Sequence, residues 1–284
     1  MAGGRSRILL IGTALSVLTL AGCSQLEPKG TGPGGTPLES YTAEQIFERG
    51  EYELSIKDYE EGAIYFSEIE RLYPYSDWAK RALIMQAFAH HQDKNYEEAR
   101  SAAQRFIDFY PADDDAAYAQ YLLALSYYDQ IELVGRDQGL TFQALQALRT
   151  VIERYPDSEY ARSSILKFDL AFDHLAGKEM EIGRYYLKRD HFGAAISRFR
   201  VVVEDFQTTS HTAEALYRLV EGYLSLGLVQ EAQTAAAILG HNYQSSDWYK
   251  DAFSLLKGQG LEPKLFGGNW MGTAYRQTVK GEWL

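Results

Sequence analysis

The stretch Asn95-Tyr96-Glu97-Glu98-Ala99, running on to Phe106 and then Tyr110-Pro111, reads as one half of a helical hairpin. Take Tyr96 as the origin. A small residue follows three on (Ala99), an apolar one seven on (Ala103), a larger one ten on (Phe106) and proline fifteen on (Pro111). The same template fits from four other starts. Tyr59 gives Gly62, Phe66, Ile69 and Pro74, and Thr141 gives Ala144, Leu148, Val151 and Pro156. Phe192 gives Ala195, Phe199 and Val202, and Val229 gives Ala232, Ala236 and Leu239, with Gln207 and Gln244 where proline stood. Offsets of three, seven and ten share one helical stripe. The small residue admits a neighbouring helix, and proline ends the helix because it has no N–H and crowds the preceding turn.

These offsets are those of the second helix of a tetratricopeptide repeat. Such a unit cannot bury its apolar face alone, so copies stack. The expected fold is all-α: a tetratricopeptide-repeat (TPR) solenoid of five helical hairpins. The 284 residues exceed one typical domain, but a solenoid lengthens without a second core. The aromatic before each break is Tyr73, Tyr110, Tyr155, Phe206 and Tyr243, at gaps of 37, 45, 51 and 37. The repeats therefore run at 41–76, 77–113, 114–158, 159–209 and 210–256. The third carries about eight extra residues and the fourth about fourteen. The third insert, Val134-Gly135-Arg136-Asp137-Gln138-Gly139, is polar and glycine-broken. Insertions in a solenoid map to loops on one face, often a binding face. Arg136 and Asp137 either staple this loop to the third repeat or meet a partner. The fourth excess lengthens the first helix, Tyr160 to Leu187, with Gly177 as a candidate break. Thr42 with Gln45 reads as a capping box, and Asp77 and Asp113-Asp114-Asp115 as helix starts.

Before the repeats lies a leader, residues 1–22. Arg5 and Arg7 precede an apolar run from Ile8 to Leu20. As a helix that run spans about 20 Å, short of the roughly 30 Å hydrocarbon core, so it reads as a secretion signal. It ends in Leu20-Ala21-Gly22-Cys23, which looks like a bacterial lipobox, and Cys23 is the one cysteine of the chain. The motif implies cleavage before Cys23 and lipid on its sulfur and amine. Two or more acyl chains anchor stably where one does not. Ser24, rather than Asp, points to the outer membrane. Residues 23–40, with Gly30, Gly32, Pro33, Gly34, Gly35 and Pro37, read as a flexible tether. Residues 257–284 leave the period and read as a tail, disordered or docked on the last repeat or a partner.

The charge of −11 becomes −13 without Arg5 and Arg7, and disfavours nucleic acid, whose footprint is basic and clustered. No nucleophile elbow, phosphate loop or metal-binding spacing of histidines is present, so the expectation is a non-enzyme with no metal and no cofactor beyond the lipid on Cys23.

A lipobox, a Gly/Pro tether and five such repeats together resemble the BamD (ComL) family, the lipoprotein of the outer-membrane barrel-assembly (Bam) machine. Tyr127-Tyr128 before the insert and Arg154-Tyr155-Pro156-Asp157-Ser158-Glu159-Tyr160-Ala161 strengthen the likeness, which spans Cys23 to about Leu256. It implies a periplasmic scaffold anchored to the outer membrane. Its C-terminal repeats would hold a periplasmic domain of the barrel-forming (BamA-like) assembly protein, beside other Bam lipoproteins. Its N-terminal repeats would recognise unfolded outer-membrane proteins. Arg198 matches a basic position of the family's fourth repeat that contacts the assembly protein. In this repeat class the first helices line the concave face, where the template places Arg81, Ile84, Phe88 and His91, then Tyr118, Tyr121, Leu125 and Tyr128. A substrate's terminal aromatic and carboxylate would meet those rings and Arg81. The alternative expectation for the tyrosines is packing between hairpins. The alternative function is a periplasmic TPR adaptor for cell-wall synthesis or division enzymes.

Overall fold

A computed structural model describes residues 30–32, 35–134 and 136–266. The leader, Cys23 and the tail beyond Phe266 lie outside the described residues. Among the described residues, eleven α-helices follow a short 3-10 turn at Leu38–Ser40: α1 Ala43–Ser55, α2 Tyr59–Leu72, α3 Asp77–Gln92, α4 Tyr96–Phe109, α5 Ala116–Tyr128, α6 Gly139–Arg154, α7 Glu159–Leu187, α8 Phe192–Asp205, α9 Thr212–Ser225, α10 Val229–Asn242 and α11 Asp247–Lys257. They pair in sequence as five hairpins with α11 closing the end on α9 and α10. The all-α repeat architecture is as the template predicts.

The template positions are the core. Ala99, Ala144, Ala195 and Ala232, then Phe66, Ala103, Leu148, Phe199 and Ala236, then Ile69, Phe106, Val151, Val202 and Leu239 are all fully buried. Tyr73, Tyr110, Tyr155, Phe206 and Tyr243 are the C-caps of α2, α4, α6, α8 and α10. Gln207 and Gln244 therefore end helices as the prolines do. Where the stripe carries a phenylalanine, the facing helix yields. A Cβ on Gly183 of α7 would stand 2.4 Å from the ring of Phe199. In four hairpins the turn uses one left-handed residue two before the second helix: Lys57, Lys94, Asp190 and Gly227.

Local starts differ in part from expectation. Thr42 and Gln45 form the capping box. Ser76, not Asp77, caps α3 by accepting from Ala79 N–H. Asp113 does not cap α5; its carboxylate takes Lys80 Nζ at 2.7 Å, tying the loop before α5 to the start of α3. Gly177 does not break α7, which runs unbroken for 29 residues. Its missing side chain instead makes room for Val134 of the insert and the His211 ring.

The first helices α1, α3, α5 and α7 each pack against the next, while no such packing joins α2 to α4 or α4 to α6. The first helices thus form the inner layer and the second helices splay outward.

Both chain ends of the described region are docked. Gly30 N–H donates to Glu61 at 2.9 Å, Tyr65 OH donates to Thr31 C=O, and Leu38 is buried in the first hairpin's core. Gly32 lies so close to the Tyr41 ring that a Cβ there would stand 2.4 Å from it. Gly30 and Gly32 of the tether thus serve close packing rather than slack. At the other end Gln233 holds residues 262–264 through its side chain and its carbonyl, and Leu261 packs on the last core.

Candidate partner-binding surfaces

The inner layer places all eight predicted groove residues on α3 and α5, but not equally open. Arg81 is exposed. Its guanidinium lies 4.7 Å from the Phe47 ring centroid and 4.6 Å from that of Trp78, with no ion pair among the described residues. Cation–π contact holds it in place while leaving its N–H groups unspent. Ile84 is only 8% exposed and belongs to the core, so it is unavailable to a ligand. Phe88 is half-buried against that core. His91 Nε2 lies 3.0 Å from Asp129 Oδ2, an ion-pair distance but off-line for a hydrogen bond.

On α5 the rings turn to the next hairpin. Tyr160 of α7 sits 5.2 Å from Tyr118 and 5.3 Å from Tyr121, stacked on the latter. Tyr121 OH and Ser163 Oγ share a hydrogen bond of 2.7 Å. Burial, then the neighbouring tyrosines, pushes the Tyr118 hydroxyl up to about 12. Leu125 is half-buried. Tyr128 joins the cores of the second-to-third and third-to-fourth repeats. These tyrosines pack between hairpins, because successive first helices touch and each stripe meets its neighbour. Lys167, which sequence reasoning missed, lies 5.8 Å from the rings of both Tyr121 and Tyr128. The spacing Tyr160, Ser163, Lys167 on one face of a helix was the available signal. Arg81 on α3 and Lys167 on α7 are thus both cations of the inner layer seated on aromatic rings.

The insert is stapled, by a different residue than expected. Arg136 reaches Glu132 at 3.6 Å with both side chains exposed, and Asp137 accepts from Gly139 N–H at the start of α6. Gln138 does the holding: it donates to the carbonyls of Val134 and Arg136, and its carbonyl oxygen meets His174 of α7 at 3.2 Å.

A second surface runs along α7. Leu166 and Leu170 are 63% and 61% exposed, with Ile165 beside them. They edge a groove of about 620 Å³ between α7 and the α8–α9 turn, lined also by Asp169, Phe172 and Asp173. Clustered exposed aliphatics mark interaction sites in soluble proteins. Arg198 on α8 is half-exposed and pairs with Glu179 of α7 at 3.1 Å.

Residues 39–238 match the model of the family YfiO, described as outer membrane lipoprotein. A Caulobacter vibrioides protein named outer membrane protein assembly factor BamD is 46% identical over 255 residues, covering 90% of this chain and 82% of its own. The Rickettsia prowazekii protein of that name is 45% identical over 212 residues, 75% of this chain and 84% of its own. A Neisseria meningitidis serogroup A relative, again so named, is 26% identical over 225 residues, covering 76% and 84%.

Proposed function

The chain belongs to the outer membrane lipoprotein family YfiO, with the BamD assembly factors among its relatives, and on that premise we propose that it is a helical scaffold, not an enzyme, of outer membrane protein assembly. Lipid on Cys23 ties it to the periplasmic face of the outer membrane. Among the described residues no helix is long and apolar enough to cross a membrane. The C-terminal repeats hold the periplasmic domain of the barrel-forming assembly protein. The inner layer of the N-terminal repeats takes unfolded barrel proteins.

The exposed Leu166–Leu170 strip carries the first contact. Two bared leucines on an otherwise amphipathic helix cost solubility and fit a partner's apolar edge. Arg198, half-exposed on α8 of the same repeat and paired with Glu179, supplies a further cation of the fourth repeat. For the second contact, Arg81 offers charge-assisted hydrogen bonds to a terminal carboxylate, with ring edges for its aromatic and Lys167, where the third repeat meets the fourth, as a second cation. Arg136 lies too exposed and too loosely paired to hold the fold, which leaves its guanidinium to serve a partner, with Asp137 beside it.

The test is detergent co-purification of the lipid-anchored chain. The expected result is capture of a large outer-membrane barrel, lost in Leu166→Asp/Leu170→Asp. Capture of cell-wall enzymes instead, or a barrel retained by the folded double variant, would overturn this reading.

A further inference from the structure

The outer side of the second and third repeats serves no purpose so far described, and two equivalent positions there differ. Between α2 and α4, Arg105 Nη2 reaches across to donate to Glu70 and to Gln86 over α3, each at 3.0 Å. That crossing closes the outer cleft. One repeat on, the template puts Thr150 in the place of Arg105, Ile107 in that of Glu70 and Leu123 in that of Gln86. A threonine cannot span the gap. The cleft between α4 and α6 stays open as a groove of about 630 Å³.

Its lining is uniform in chemistry. Ile107, Leu123, Ala147 and Tyr127 form an apolar floor, and Gln104, Gln120, Gln143 and Gln146 bring four amides from three helices. Gln120 is more than nine-tenths buried, yet its amide has no hydrogen bond to any described residue. The amides of Gln143 and Gln146 are likewise unspent among the described residues, and Gln104 spends only its N–H, on Asp108. One carboxylate, Asp108, and one guanidinium, Arg154, cancel at one end.

A neutral, amide-rimmed trough rejects anionic lipid or nucleic acid, which need cations. Each glutamine offers a donor and an acceptor, and so does each residue of an extended backbone. From Gln120 to Tyr127 the floor runs about 10 Å, the length of three to four extended residues. We propose that the outer groove between α4 and α6 binds a short extended polypeptide segment through its backbone, by the amides of Gln104, Gln120, Gln143 and Gln146. Backbone reading is tolerant of side chains, as a handler of many unfolded chains requires. To that extent the inference rests on the function proposed above.

The probe is an eight-residue, end-capped, fluorescein-labelled peptide of Thr, Val and Ser, titrated into the purified full-length chain. A scrambled order should bind within about twofold, and methylating alternate backbone nitrogens should weaken binding about tenfold or more, because the donors are gone. Thr150→Arg, which sets a long side chain into the trough, should weaken it about tenfold, and Gln120→Leu about threefold. Circular dichroism and thermal midpoint establish that both variants are folded. A photocrosslinker at Gln146 should capture the peptide if either variant fails to fold. Arg81→Ala with Lys167→Ala should leave binding unchanged. No binding, equal binding by the N-methylated peptide, or loss only in the Arg81/Lys167 variant with no crosslink from Gln146 would overturn the groove. The last outcome would leave the inner-layer reading standing, and loss of barrel co-purification would leave the groove standing.

Discussion

The two halves of α7 make two joints by different means. Its first half packs directly on α5, and the contact is made of rings: Tyr160 between Tyr118 and Tyr121, with the Tyr121–Ser163 hydroxyl pair behind. Its second half meets α9 through long side chains instead. Arg184 forks onto Glu214 of α9 at 2.9 and 2.6 Å, and Arg218 reaches both Glu214 and Glu221. Stacked rings need helices in touch and do not titrate in the ordinary range. Arginine spans a gap, but what it holds depends on the charge of its acid. One joint is therefore set by shape and the other by pH and salt.

The largest break comes from the core beneath the ionic joint. Phe199→Ala removes a fully buried ring seated on Gly183, and should cost about 3–5 kcal/mol. Urea unfolding measures the loss, and hydrogen exchange should rise in α8 to α11 while α5 keeps its protection.

Glu214→Gln tests the charges themselves. Burial would raise this carboxyl, but hydrogen bonds and charge from Arg184 and Arg218 outweigh burial and hold it below the usual carboxylate range. A depressed folded value makes its contribution complete above the ordinary value of 4.5 and lost as pH falls through the folded one. The substitution should cost about 2 kcal/mol at pH 7 and flatten the acid limb of stability below pH 4.5. Added salt should narrow the difference from the parent only modestly, since Glu214 is mostly buried.

Tyr121→Phe tests the other joint. It keeps the ring and removes one hydroxyl pair, so about 1 kcal/mol is expected, unchanged between pH 4 and 8. Gln138→Ala should cost a similar amount by freeing the insert from His174. Smallest is Arg136→Ala, within about 0.5 kcal/mol by thermal melting, because its pair with Glu132 is long and exposed.

The stripes of the second helices were legible because they repeat at fixed offsets, and each template residue met the core where that spacing required. What lies opposite a residue was not. The template puts Tyr118 and Tyr121 on a first helix, α5, but the ring that claims them, Tyr160, stands a hairpin away. Ile84 shows the same limit: one stripe of α3 grades from exposed Arg81 into the core within a single turn. The Arg184–Glu214 fork joins positions 30 apart, with no local pattern to announce it. Arg136 and Asp137 drew notice as adjacent charges, although the neutral Gln138 holds the loop. Cys23, the clearest single motif, lies outside the described residues.

The clasp of Gly30 to Leu38 on the first hairpin sets a leash. If slack ran from Cys23 to the first helix at Ala43, the contour would be about 66 Å, but the chain is pinned at Gly30, and seven residues can span at most about 23 Å. With the lipid proposed on Cys23, a leash of that length would confine the first hairpin to a shell one domain deep beneath the bilayer. The accessible volume scales as the cube of the reach, so the local concentration of this repeat at the membrane rises more than tenfold over an unclasped tether. On the proposed anchor, two glycines that look like slack would decide how closely the solenoid rides the membrane.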